Sequence, residues 1–575
     1  MLRAMLRSLL LVLAVGCSSP GPKTSVIVSD NAPLQFADLA PFVANHIYEV
    51  DPAEGVSAGL HKYDGLLPDL TPAGIADQVK LLERDRDALL RFDTAQMTPA
   101  QHVERDVLLV ELRSRLFRLV DLDVYRTNPM SYLSKLNLDA YIIRDYAPAQ
   151  TRAAAVTKMC AALPAFLAQA RTNLVSPMPR PWLDTAVLQT KGHLEFADKD
   201  VRTAFSTVTE PLANRAEIDS SLDTCKAALV EHVAWLTKQQ PTGTQSFALG
   251  TDKFLRMLAE TQGIEMDLGR LTAIAEADLR RNLAALDEAA QAIDPKRSTK
   301  EVVNAMAADR PTPATVLALA TQQTQAARQF ILDNQIVSIP SDELALVRET
   351  PPFQRWNSAF LDTPGPFETQ KLPSFYYISP PDPTWPEAEQ LAYLPPTADL
   401  LFTTIHEVYP GHFLHRLHIR KNPSKILQSF CTYSSSEGWA HYVEEMMFDA
   451  GIAGQTPQTR IGMLKEALLR NARFVATIGL HTGGMTVEQA TQLFADKGFV
   501  DAGNARQQAV RGTFDPMYLA YTVGKLMFRN LRVEWMRANP GKTLKDFHDT
   551  VLSYACAPVP VVRRAMLGPT AGTPL

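Results

Sequence analysis

The sequence predicts a large, mostly α-helical protein with one small β element placed just before its chemically densest part. Three observations carry that prediction. Apolar residues recur at three- and four-residue steps along most of the chain. Prolines crowd one stretch, Pro351 to Pro396, and that stretch holds one strand-like run, Phe375-Tyr376-Tyr377-Ile378. The 575 residues, 46% hydrophobic and 21% charged, supply core for one large domain or for two or three lobes.

The first residues stand apart from that fold. Arg3 and Arg7 precede an apolar run, Leu9 to Val15, which is too short to span a bilayer as a helix. Residues 1–16 therefore read as a signal peptide. Ala14-Val15-Gly16-Cys17 resembles a bacterial lipobox, which makes Cys17 the lipidation site and residues 17–33 a polar tether. The expectation is an exported, lipid-anchored protein facing the periplasm. Ser18 after the cysteine favours the outer membrane of a Gram-negative cell. No further long apolar span is expected, so contact with membrane runs through this anchor alone.

Residues 34–349 are expected to form a helical region. Ala76 to Leu90, Ala100 to Val120, Thr151 to Leu174 and Leu268 to Ala292 show the helical period, with Thr98-Pro99 and Asp294-Pro295 at expected boundaries. Residues 350–575 form a second region, packed with the first as one unit and carrying the chemistry. Beyond Cys17 the cysteines are Cys160, Cys225, Cys431 and Cys556, which form two disulfides or remain four buried thiols. A net charge of −5 gives no field that draws the molecule to nucleic acid.

Six of the 12 histidines lie between His406 and His481, which marks where a metal site belongs. The core string is His406-Glu407-Val408-Tyr409-Pro410-Gly411-His412. In an H-E-x-x-H helix, two histidines one turn apart hold zinc and the Glu acts as general base. Here the second His falls two residues late, which an unbroken helix would turn by about 240°. Pro410-Gly411 offers the remedy: a break that absorbs the extra residues and brings His412 back under His406. His415 and His418 are fallback ligands. Downstream, Glu437, His441 and Glu444 fall on one helical stripe. Glu437 is the best third ligand, and Glu444 would orient a ligating histidine from behind. His441 competes for either part.

The sequence also resembles the bacterial domain-of-unknown-function family numbered 885. The likeness rests on the 406–412 string, Glu437-Gly438-Trp439-Ala440, Asn128-Pro129-Met130, Pro179-Arg180-Pro181-Trp182-Leu183, Gly479-Leu480-His481-Thr482, Tyr521-Thr522-Val523-Gly524-Lys525-Leu526 and Phe547-His548-Asp549. Phe413 and Thr477 depart from the usual pattern. That family is similar to helical, thermolysin-like Glu-zinc metallopeptidases such as carboxypeptidase Taq and the oligopeptidases.

The resemblance implies a two-lobed helical architecture with a deep cleft and one zinc ion per chain, held by His406, His412 and Glu437. Glu407 would deprotonate the attacking water, and Tyr521 or His481 would donate to the oxyanion. Lys525, Arg529 and Arg532 follow Tyr521 on a helix and could hold a substrate's terminal carboxylate. Tyr377 and its strand could pair with an extended peptide substrate. Two other readings stay open: a metal-dependent hydrolase of non-peptide amides or esters, and a non-catalytic lipoprotein that binds peptides or envelope components. The ligand types suit several first-row metals besides zinc.

Overall fold

Helix starts follow the capping chemistry written in the sequence. The computed structural model describes residues 35–210, 212–351, 354–355 and 358–575. The signal peptide, Cys17 and the tether lie outside the described residues. After α1 (Phe36–Val50), α2 (Pro72–Arg91) begins where the Thr71 side chain accepts from the Gly74 amide, with Pro72 in the first helical position. A reciprocal capping box of Thr98 and Gln101 starts α3 (Pro99–Leu116).

Two long helices, α4 (Ala149–Asn173) and α5 (Arg215–Gln239), pack on one another and are joined by the Cys160–Cys225 disulfide. Contrary to expectation, α4 is long and apolar enough to cross a membrane by length and composition. Half of that stretch is buried inside the protein, however, and its pairing with α5 gives it the environment of a core helix. Asp267 caps α6 (Leu268–Ile293), which ends at Asp294; α7 (Val316–Asp333) follows.

The small sheet has three strands: β1 (Ala345–Glu349), β2 (Ala359–Asp362) and β3 (Ser374–Ile378), in the order β1-β3-β2. β3, the run read from sequence, is parallel to β1 and antiparallel to β2. It is therefore the central strand. That corrects the expectation that the Tyr377 strand pairs with substrate, because both of its edges are already hydrogen-bonded. The Tyr377 ring is buried between Phe360 and Phe375, each 5.3 Å away.

Beyond the sheet, the chain returns to helix in α8 (Thr397–Glu407), α9 (His412–Lys421), α10 (Tyr433–Asp449), α11 (Pro457–Thr482) and α12 (Ala520–Ala538). β3 is tied to α8 by the Tyr376 hydroxyl, 3.2 Å from Thr404 Oγ1. A second disulfide, Cys431–Cys556, fastens the lead-in of α10 to the segment before the last helix.

The closest packing is between α10 and α12. A Cβ on Gly438 would fall 2.4 Å from the Cα of Gly524, so the two backbones meet with no side chain between them. One hydrophobic core runs through both regions, joining Val107 and Leu271 to Phe402, Trp439 and Phe474.

Candidate metal centre

The helix that carries His406 and Glu407 stops at Glu407, and a new one starts at His412. The residues between are stitched rather than loose. The Gly411 amide donates to Ile405 O at 3.0 Å, the Leu414 amide to Val408 O at 3.2 Å, and Trp439 Nε1 to Pro410 O at 2.9 Å. Gly411 is required here by space: a Cβ would lie 1.8 Å from the carbonyl oxygen of His406. The break turns α9 so that the two rings meet edge to face, 4.7 Å apart.

Glu437, one turn into α10, completes the group. Its Oε2 lies 3.3 Å from His406 Nε2 and 3.2 Å from His412 Nε2. One ligand-capable atom from each of the three residues lies within 4.8 Å of the others. Two imidazole nitrogens and a carboxylate oxygen are donor types that could hold a divalent metal ion.

The hydrogen bonds fit the same reading. His406 Nδ1 lies 2.6 Å from Glu444 Oε1, and a proton held on that nitrogen would leave the Nε2 lone pair facing the cluster. Glu437 Oε2 is buried with no hydrogen bond of its own. A bound cation would satisfy that oxygen together with the two neutral imidazole nitrogens that face it.

Charge is arranged around this core. Burial opposes a charged His406 ring, but the neighbouring Glu437 and Glu444 carboxylates outweigh it and raise the ring's pKa to about 9. Burial also pushes Glu437 upward, yet the adjacent histidines hold it well below the usual carboxylate range. Glu407 is different: burial raises its pKa, and the histidine charges only partly offset that. A carboxylate shifted upward is suited to accepting a proton near neutral pH. Its Oε2 accepts from the Leu361 amide at 3.0 Å, on the side of β2 away from β3.

Behind the cluster, Glu444 is a hub. It meets His406, His441 Nδ1 at 3.4 Å and Arg470 Nη2 at 3.2 Å. His441 therefore belongs behind Glu444 and not among the three converging atoms. Tyr521 is brought to the site, its ring stacked 6.2 Å from that of His406. Its hydroxyl has no partner among the described residues.

Other expected residues are not brought there. His481 Nε2 lies 2.8 Å from Gly512 O, and its ring stacks on Phe254. Lys525 is fully buried and bound to Asp278 at 3.0 Å and Glu445 at 3.6 Å, while Arg529 pairs with Glu445 at 3.0 Å. Those two cations serve internal ion pairs and are not free for a substrate carboxylate. Arg532 donates to the Tyr442 hydroxyl. The fallback ligands His415 and His418 bond the carbonyls of Ala555 and Ser338 instead.

Sequence reasoning missed Arg470 and the Leu361 amide. A signal for Arg470 existed, since Arg470, Asn471 and Arg473 fall between the apolar runs Ala467-Leu468-Leu469 and Phe474-Val475-Ala476 of α11, where a buried arginine needs a partner.

The family model described as bacterial protein of unknown function (DUF885) matches residues 52–566. No curated protein matches the sequence. A candidate lipoprotein of unknown function from Shewanella oneidensis is similar in structure, with a TM-score of 0.78, 23% identity, and coverage of 93% of this chain and 100% of that one. A candidate lipoprotein from Colwellia psychrerythraea gives 0.80 at 14% identity, over 92% and 98%. At those identities the likeness shows the fold alone. An M32 carboxypeptidase from Deinococcus radiodurans R1 overlays with a TM-score of 0.38 at 14% identity, over 93% and 97%, too loosely to carry an argument.

Proposed function

The chain belongs to the DUF885 family of bacterial proteins of unknown function, and we propose that it is a zinc-dependent metallohydrolase that cleaves peptides. Its leader further supports export and lipid anchoring at Cys17, facing the periplasm, as the sequence-based reading has it. The observation that carries the enzymatic reading is the convergence of His406 Nε2, His412 Nε2 and a Glu437 oxygen within 4.8 Å, with Glu407 next in sequence to the first ligand.

When bound by these three residues, zinc supplies Lewis acidity that polarises a carbonyl and acidifies water. The rest falls to the protein. Glu407, held by the Leu361 amide and raised in pKa by burial, takes a proton from the attacking water and returns it to the leaving amine. The Tyr521 hydroxyl is free to donate to the oxygen on which negative charge develops. Glu444 and Arg470 keep the His406 ring in one tautomer and one orientation. An extended substrate lies along the outer edge of β2, beside Leu361, in place of the β3 pairing first expected.

Metal analysis of the wild type and Glu437→Ala, followed by a peptide-cleavage screen with Glu407→Gln as control, tests the proposal. The expected result is about one zinc per wild-type chain, none in a folded Glu437→Ala, and cleavage that Glu407→Gln abolishes. A well-folded wild type that takes up no metal when zinc is supplied would overturn it.

A further inference from the structure

Three arginines crowd the aromatic wall beside the ligand cluster. The Cζ atoms of Arg470 and Arg473 lie 5.5 and 4.9 Å from the centre of the Tyr521 ring. Those of Arg473 and Arg511 lie 6.0 and 5.9 Å from that of Tyr518. Two of the three charges are matched. Arg470 pairs with Glu444 at 3.2 Å and Glu466 at 2.7 Å. Arg511 pairs with Asp515 at 2.8 Å and donates to the Tyr433 hydroxyl at 2.8 Å.

Arg473 is unmatched. Among the described residues no carboxylate lies within ion-pair reach of it. Its Nε donates to Gln508 Oε1 at 2.9 Å, and its two Nη groups have no protein acceptor. The residue is nonetheless only 8% exposed. Burial, reinforced by repulsion from Arg511 and Arg470, holds its pKa below the usual arginine range. A buried guanidinium with an empty fork is costly on its own and is relieved by an anion.

Position gives that anion a meaning. The Tyr521 ring has His406 stacked 6.2 Å to one side and Arg473 4.9 Å away. The path from the ligand cluster to the open fork is thus one aromatic ring long, a span that extended peptide covers in at most about three residues. The rings of Tyr521 and Tyr518 flank the guanidinium at 4.9 and 6.0 Å, and its planar fork suits bidentate capture of a carboxylate.

We propose that Arg473 anchors a carboxylate subsite that selects substrates bearing a negative group within about three residues of the bond cleaved. This rests on the peptidase reading above. The carboxylate comes either from a free chain terminus or from an acidic side chain, and both present the same planar group. A second guanidinium near the cluster, that of Arg416 one turn after His412 on α9, likewise has no ion pair among the described residues, and the Glu437 carboxylate acts on its charge. It has no aromatic platform, so it serves as the control.

The test uses one peptide sequence in three forms, with a free C-terminus, with a C-terminal amide, and with the amide plus one internal Glu in place of Gln. Binding is measured by calorimetry to the zinc-loaded Glu407→Gln protein, which needs no turnover, and cleavage to the otherwise wild-type enzyme. The expected result is at least tenfold tighter binding of one carboxylate form than of the neutral amide, collapsing toward parity in Arg473→Gln and only partly in Arg473→Lys. The form preferred tells a chain terminus from a side chain. Equal binding of all three peptides overturns the subsite, as does a preference that survives in Arg473→Gln or disappears in Arg416→Gln instead. If Arg473→Gln does not fold, Arg473→Lys decides: a weakened preference supports the subsite, an unchanged one overturns it. Carboxylate-selective binding without cleavage of any peptide would leave the subsite standing and remove the hydrolase reading.

Discussion

His406 and Glu444 share a 2.6 Å contact through Nδ1 and Oε1, and this contact determines which face of the imidazole meets Glu437 and His412. Replacing Glu444 by Gln keeps an acceptor but removes the charge that stabilises the donated proton. Zinc affinity, measured by competition with a chromogenic chelator, should fall about 10- to 100-fold. Unchanged affinity would show that His406 needs no support from α10.

Gly411 carries the two-residue excess between the histidines. In Gly411→Ala, the new methyl meets the His406 carbonyl, a backbone atom that cannot swing aside. The expected loss is roughly 3 kcal/mol or more of stability, with zinc uptake lost alongside. Thermal unfolding and metal analysis on the same preparation check both.

Tyr521 lies against His406 with a hydroxyl free of internal bonds. Tyr521→Phe should therefore retain zinc and fold normally, with kcat falling about 100-fold and KM little changed. A loss confined to KM would mean that the hydroxyl binds substrate and does not stabilise developing charge.

The buried ion pairs around Lys525 predict the acid limb of the stability curve. Burial pushes Glu445 up, but the Lys525 and Arg281 charges outweigh it and bring its pKa down to about 2. A depressed carboxylate contributes stability that is present above its usual 4.5 and is lost as pH falls through about 2. The share involved is about 3 kcal/mol. Denaturant titrations from pH 6 to pH 2 should show this slope, and Glu445→Gln should flatten it while lowering stability at pH 6.

The helical design was legible because α2, α3 and α6 carry both an amphipathic period and a cap, as at Thr71, Thr98 and Asp267. β1 and β2 were not: β1 ends in the charged pair Arg348-Glu349 and β2 has only four residues, and neither carries the aromatic run that marks the equally short β3. The converging residues His406, His412 and Glu437 could be read because the Pro410-Gly411 break explains an otherwise wrong spacing. Lys525 and Arg529 misled for a physical reason: a basic run on a helix looks solvated until the acids opposite it, Asp278 and Glu445, are known. Those acids lie on α6 and α10, and no local pattern announces the pairing. The role of β3 likewise depended on its order in the sheet, which a single strand does not encode.

The contact of Gly438 with Gly524 has a mechanical side. At the Gly438–Gly524 crossing no side chain separates α10 from α12, and further along Trp439 and Tyr442 pack on Phe528 while Glu445 pairs with Lys525 and Arg529, so the two helices are coupled by backbone contact and by side chains alike. Glu437 is adjacent to one end of that contact and Tyr521 is one turn from the other. A displacement of either helix would therefore move Glu437 and Tyr521 together, which ties the spacing between a ligand and the oxyanion donor to one backbone contact.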